Sequence, residues 1–489
     1  MINQNISQRS FDSKIFLFLM KIRKIITLIS ILLITAVGLI ITEDIKAAES
    51  SVTYEVQAQA SDNFVESMGI NTKFGYCPGY LCDNYPKVKN LLAQLGIRYI
   101  RDVPYPESWR RRKDLYQDYG IQMLVGADRS WGQPLDSETI PDQLTAIKSW
   151  GKMIVGITGV NEYDNLVYQS CEETEGCDPK WSETSWPSSY RQFQQKLYKL
   201  VKADRELGHL PVILGPMAHL NNLQHLDNLS DVCDRGNDHS YPGSWGKPSQ
   251  ESGGGQPRSM DEVVAKVKEI CPGKKLWITE TGYKERIEGD RHENLVSRQI
   301  KAKYLPRIYA NYFQQGQIEK TFLHQLMETR GDRTGFGIID PNLQPTSAYY
   351  GIKNLISLLG EATWDRQTQS WNYPNVKTDS LKYTLKGDLK DLKHLLLQKS
   401  NGTFYLLIWQ EVYSYDHRLK QDLINPDRIV KFQLDDAIIK KAKTYRVFNK
   451  TKPSATLSPL KTWNNVSNLF LSVPDHILVL EFTASTQGQ

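Results

Sequence analysis

The sequence predicts an α/β chain, a (β/α)8 TIM barrel followed by a C-terminal β-sandwich domain. Three observations carry this. The chain has 489 residues, too many for one ordinary domain, whereas α/β barrels run to about 250 residues as one unit. From about residue 63 to 360, short apolar runs alternate with longer amphipathic stretches eight times, which fits a closed parallel barrel better than an open sheet. After Gly360 the runs become short, mostly β-branched or aromatic, and are separated by turn residues. The expected divisions are 1–50 for an export segment, 51–360 for the barrel and 361–489 for the sandwich.

The first run is Phe64 to Asn71, followed by a helix over 85–95. Ile97 to Arg101 precedes a helix over 107–119, and Ile121 to Ala127 precedes one over 138–150. Met153 to Val160 is the fourth run, with a long loop before a helix over 188–207. Pro211 to Gly215 is the fifth, and its helix is poorly marked. Asn237 to His239 is a short, polar sixth run before a helix over 258–270. Lys275 to Thr279 leads to 293–315, and Ile318 to Gln325 leads to 346–359. Beyond Gly360, strands are expected at 381–385, 394–399, 403–409, 429–434, 444–447, 469–473 and 477–482. Asn401-Gly402 between two of them is a hairpin signal.

Composition excludes several classes. Apolar residues are 40% and charged residues 24%, unlike a disordered, collagenous or multi-span membrane chain. The net charge of +5 is too small and too spread to predict a nucleic-acid partner, which needs a concentrated basic face. Aromatics reach 10%, with 11 Trp and 25 Tyr, as a large core or a sugar-stacking surface requires. At the N-terminus, Arg9, Lys14, Lys21, Arg23 and Lys24 precede an apolar run from Ile25 to Thr42. Basic residues before an apolar segment predict export of the chain beyond it, with the segment as a cleaved signal or a retained single-span membrane anchor. Six cysteines agree with an oxidising compartment. They fall into the local pairs Cys77/Cys82, Cys171/Cys177 and Cys233/Cys271, one of 15 possible connectivities. No CxxC occurs, and no metal or cofactor is expected.

Chemistry in an eight-fold barrel sits where strands end. Run four is followed by Asn161-Glu162-Tyr163, and run seven by Glu280-Thr281-Gly282. The two glutamates, 118 residues apart, would face each other across the mouth. Facing carboxyls suit glycoside hydrolysis, in which one protonates the leaving oxygen and the other attacks the anomeric carbon or activates water. Glu162 must then be protonated at rest, a state that a negative Glu280 nearby favours. The competing structural reading makes Glu280 a buried carboxylate paired to Arg101, and His239 a satisfied core histidine.

These residues resemble clan A of the glycoside hydrolases, nearest in look to family 39 and similar barrel-plus-sandwich enzymes. The resemblance spans about residues 64–360 and continues into the β-domain. It implies retention of configuration, with Glu162 as acid/base and Glu280 as nucleophile. It further implies that Asn161 contacts the sugar 2-hydroxyl, that Arg101 lies beside the nucleophile, and that His239 and Tyr241 form a pair near the site. The sequence departs from the clan in Tyr163, where proline is common, and in Phe322-Leu323-His324-Gln325-Leu326, where strand eight often ends in tryptophan. Trp131, Trp181, Trp186 and Trp245 fall in loops on the catalytic rim, with Trp131 and Trp245 the expected substrate contacts. Arg129, Arg330 and Arg333 follow strand ends and are compatible with an acidic polysaccharide, while Arg110, Arg111 and Arg112 read as a solvated helix face. The expected partner is a poly- or oligosaccharide. A transglycosylase on the same site, or a carbohydrate-binding protein on a disabled barrel, are the rival readings.

Overall fold

The computed structural model describes residues 50–74, 83–103, 109–127, 137–165, 186–244, 246–252, 257–286, 295–328, 335–449 and 456–486. The apolar run at 25–42, the pairs Cys77/Cys82 and Cys171/Cys177, and Trp131, Trp181 and Trp245 lie outside them. Among the described residues no helix is long and apolar enough to cross a membrane.

Eight parallel strands build the central sheet: Met68–Asn71, Tyr99–Asp102, Gln122–Gly126, Ile154–Thr158, Val212–Ile213, Gly236–His239, Leu276–Thr281 and Ile318–Leu323. We number them barrel strands one to eight. Strand eight pairs with strand one. The remaining edges, strands five and six, meet through the bridge Ile213–Arg235 and through Leu214 N–H donating to the Arg235 carbonyl at 3.0 Å. Helices Tyr85–Leu95, Trp109–Tyr119, Ile140–Lys148, Trp186–Ala203, Met260–Ile270, Arg298–Gln314 and Ser347–Leu359 cover the outside. After strand five stands only the 3-10 turn Leu220–His225, where the periodicity is weakest. Strand one is shorter than its apolar run. Ser61–Glu66 is helical, because Asp62 accepts the Arg98 guanidinium at 2.7 Å and tethers this turn beneath the barrel.

Two sheets form the sandwich, antiparallel except where Gln59–Ala60 pairs parallel with Leu392–Gln398. The first orders Ser50–Gln57, Ser380–Gly387, Arg428–Leu434 and Asn468–Val473. The second orders Gln59–Ala60, Leu392–Gln398, Phe404–Gln410, Leu478–Thr486, Ala437–Arg446 and Lys461–Val466. Gly402 occupies the left-handed region, φ 82°, at the expected hairpin between the second and third of these. Residues 50–60, expected at the start of the barrel, instead pair with the sandwich: Ser50 lies opposite Gly387 and Gln57 opposite Ser380. Their alternation supplies the reason, since Tyr54 and Val56 pack on the inner core formed by Tyr383, Leu406 and Phe432. The second sheet turns its other face to the barrel, where Leu395, Leu397, Leu407 and Trp409 join the barrel's core. Ion pairs Arg307–Glu411 at 2.9 Å and Lys303–Asp475 at 2.7 Å pin this seam. A disulfide joins Cys233 and Cys271.

Candidate active site

Strand alternation selects which residues meet on the barrel axis. One layer holds Tyr99, Leu124, Ile213, Trp277 and Phe322 as a closed apolar plug. Gly69 belongs here because a Cβ would stand 2.4 Å from the Phe322 ring. Two residues further along each strand, and one layer higher, are Asn71, Arg101, His239, Thr279 and His324. The plug makes the floor and the polar layer makes the site.

Glu280 breaks the alternation. Pairing of strands six and seven slips between Ile278 and Glu280, an irregularity of the kind that re-aims a side chain. Thr279 and Glu280 consequently both reach His239, at 3.1 Å from Nε2 and 3.7 Å from Nδ1. Arg101 donates to Glu280 Oε1 at 2.6 Å and to Asn161 Oδ1 at 2.6 Å. The Tyr241 hydroxyl donates to Glu280 Oε2 at 2.7 Å, and His324 Nδ1 stands 3.6 Å from the same oxygen. Burial would raise the Glu280 carboxyl, but the His239 and His324 rings beside it, the Arg101 guanidinium and the Tyr241 hydrogen bond outweigh it and hold it well below the usual carboxylate range. Tyr241 is pushed well above its ordinary value, first by burial and then by the Glu280 charge, so its proton stays in place. Burial likewise lowers His324.

Glu162 follows strand four in the left-handed region, φ 46°, a conformation that costs a non-glycine residue about 1–2 kcal/mol. The loop is over-determined. Glu162 N–H donates to the Pro216 carbonyl at 3.0 Å. Buried Asp164 accepts Ala218 N–H at 2.8 Å and the Asn222 amide at 2.9 Å. Gly215 is required at this crossing, because a Cβ would lie 2.3 Å from the Val160 carbonyl. Strain held in place this way is common at functional residues.

His239 Nδ1 lies 2.6 Å from Glu162 Oε1, and its neighbours fix where the protons are. The one hydroxyl proton of Thr279 goes to Asn237 Oδ1 at 3.0 Å. Thr279 Oγ1 can therefore only accept from His239, which places a proton on Nε2. In neutral imidazole Nδ1 is then an acceptor, and the short contact requires Glu162 to donate. The Glu162–His239 contact then holds one proton between Oε1 and Nδ1. An oxygen or nitrogen of each of Glu162, His239 and Glu280 lies within 4.8 Å of the others, and these are ligand types for a divalent metal. Both Glu280 oxygens already receive donors, however, and a cation there would face the Arg101 guanidinium.

Six of the expected residues therefore converge: Arg101, Asn161, Glu162, His239, Tyr241 and Glu280. Trp186 does not, being 3% exposed at the head of its helix and packed on His225. Nor is Arg112 solvated. It is 1% exposed because it lies 3.6 Å from Asp102 and against the Trp150 ring. Sequence reasoning did not single out Asn71, which accepts Arg101 at 3.0 Å and to which the step of two along strand one points, nor Asn237 and Thr279, whose part rests on their hydrogen bonds to each other and to His239. Phe336 is a further addition, a half-buried ring 5.0 Å from His324 and 5.4 Å from Tyr241. It supplies an aromatic wall where strand eight carries no tryptophan.

No family model matches the chain, and no curated protein matches it. Solved structures do. A family 39 glycoside hydrolase from the gut symbiont Bacteroides cellulosilyticus WH2 aligns over 87% of this chain and 82% of its own, with 14% identity and a TM-score of 0.54. A β-porphyranase of glycoside hydrolase family 86 from Bacteroides plebeius aligns over 88% and 75%, with 11% identity and a TM-score of 0.49. The likeness to the family 39 structure shows that the two chains share a fold.

Proposed function

We propose that the chain is an exported retaining glycosidase that cleaves O-glycosidic bonds of a poly- or oligosaccharide by double displacement. The observation that carries this is the Glu162–Glu280 pair, with one oxygen of each carboxyl within 4.8 Å of the other and Glu280 held ionised by its surroundings. Retaining enzymes keep their carboxyls about 5–5.5 Å apart, whereas inverting enzymes need about 6.5–9.5 Å to seat a water. The geometry of the pair supports the former, and export rests on the N-terminal sequence.

In the first step a Glu280 oxygen bonds to the anomeric carbon while the bond to the leaving oxygen breaks. Glu162 passes its proton to that oxygen, and the leaving group departs as an alcohol. Forming the ester removes the Glu280 charge, which favours the ionised form of Glu162. In the second step water bonds to the anomeric carbon, Glu162 takes its proton, and the carbon–Glu280 bond breaks. Arg101 and Tyr241 hold the attacking oxygen pair, and Asn161, fixed through its oxygen by Arg101, has its amide N–H groups left for a sugar hydroxyl. A transglycosylase would differ only in what replaces water.

The test is to follow hydrolysis of aryl glycosides and polysaccharides by proton NMR, watching the anomer formed first. A first product of retained configuration, abolished by Glu280→Gln, is expected. An inverted first product, or activity that survives Glu280→Gln, sinks the mechanism. Binding of glycans without cleavage favours the carbohydrate-binding reading.

A further inference from the structure

A cavity of about 460 Å³ opens at the seam between barrel and sandwich, within the ~300–1,000 Å³ usual for small-molecule sites. It is lined among others by Lys247, Gln250, Asp261, Asn311, Gln314 and Lys393. No residue of the catalytic cluster lines it. Lys393 shares a strand face with Leu395 and Leu397, which pack on the barrel, so its side chain enters the seam.

Two features of this cavity call for a ligand. The first is charge. Among the described residues, neither the Lys247 nor the Lys393 ammonium has an ion pair or hydrogen bond, and Lys247 lies over the Tyr413 ring at 5.6 Å. The nearby buried carboxylate, Glu411, is committed to Arg307 at 2.9 Å, the Trp409 indole at 2.7 Å and Ser249 N–H at 3.1 Å. Asp261 is the one acid in the lining and receives the Gln315 amide at 3.4 Å. The second feature is an orphaned acceptor. Asn311 is 3% exposed and donates to the Arg307 carbonyl at 2.9 Å and to Glu411 at 3.1 Å, but its Oδ1 has no donor. A buried acceptor left unmade carries its full desolvation cost.

We propose that this cavity is a second, non-catalytic binding site for an acidic saccharide. The lysines require an anion, and Asn311 Oδ1 requires a hydrogen-bond donor. A fully ionised inorganic anion supplies only the first. A uronic-acid sugar supplies both, its carboxylate to Lys247 and Lys393 and a hydroxyl to Asn311. Burial lowers Lys393 against the pull of Glu411 and Asp261, and the Lys247 charge adds to that lowering; an anion between the two lysines relieves this last contribution. The site is independent of hydrolysis at Glu162 and Glu280.

The test is calorimetry on the full chain carrying Glu280→Gln, titrated with tetragalacturonate, neutral cellotetraose and inorganic sulfate at low salt. Tetragalacturonate should bind, and Lys393→Gln and Lys247→Gln should each weaken it at least tenfold while the melting temperature stays within a few degrees. Cellotetraose binding should not respond to Lys393→Gln. Unchanged tetragalacturonate affinity in a Lys393→Gln protein that melts normally overturns the proposal. So does sulfate that binds as tightly as the oligosaccharide, since that marks an anion site only. Loss of hydrolysis in all forms with this binding intact would count against the glycosidase reading and not against the site.

Discussion

Replacing Glu162 by Gln isolates the proton it carries. The substitution keeps the side-chain length, and Gln offers an amide N–H to His239 Nδ1, the same partner that Glu162 meets at 2.6 Å. The loop anchored by Asp164 is untouched. What is lost is acid and base catalysis, worth about 10²–10⁴-fold, or roughly 2.7–5.5 kcal/mol of barrier. The loss should depend on the leaving group. A sugar or alkyl leaving group needs the proton and should show all of it. A nitrophenyl leaving group departs as a stable anion, so the first step should stay near parental speed. The second step still lacks its base, and glycosyl-enzyme should accumulate. Stopped-flow absorbance should give a stoichiometric nitrophenolate burst followed by slow turnover. Intact mass should show the glycosylated chain, and azide, which needs no base, should restore turnover. An equal loss on both substrate classes with no burst would refute the assignment of Glu162.

Three further outcomes are expected. Arg101→Met removes a cation that holds Glu280 ionised, so the Glu280 carboxyl should rise; the acid limb of kcat/KM should move to higher pH, and activity at neutral pH should fall at least about 100-fold, equal to about 2.7 kcal/mol. Glu162→Gly abolishes hydrolysis but relieves the left-handed backbone at φ 46°, and its melting temperature should equal or exceed the parent's, the usual trade of stability against a strained catalytic residue. Asp475, held below its ordinary value despite burial by His476 and Lys303 among others, contributes stability that is present above about pH 4 and lost as pH falls through its folded value. Asp475→Asn should therefore lower the melting temperature at pH 7, and the gap from the parent should narrow below pH 4, as read by circular dichroism.

Much of the barrel was legible because its strands end in chemistry. Glu162 and Glu280 stand out as acids next to apolar runs, and Arg101, His239 and Tyr241 follow from the clan resemblance. Asn237 and Thr279 were not legible as site residues, since their part depends on a chain of hydrogen bonds that fixes one tautomer. Register slip put Glu280 in line, and no local pattern announces it. The helix at Ser61–Glu66 escaped because its apolar residues continue directly into strand one. Strand Lys461–Val466 escaped as a polar edge, because Lys461, Asn464 and Asn465 break up the signal of Thr462, Trp463 and Val466. The partner of Ser50–Gln57 was beyond local reading, because alternation reveals a strand but not the sheet it joins.

That first strand has a consequence for biogenesis. Ser50 pairs with Gly387, 337 residues later, so the sandwich is interrupted by the whole barrel and closes around it. At about 5–20 residues per second of synthesis, the strand waits roughly 20–70 s for its partner to be made. Such a non-local pairing also places the closing of the largest loop late in folding. A chain truncated before residue 380 would expose an unpaired edge with Val52 and Tyr54, a template for aggregation. The chain pairs that strand only when Ser380–Gly387 arrives, which makes the sandwich a check on completion.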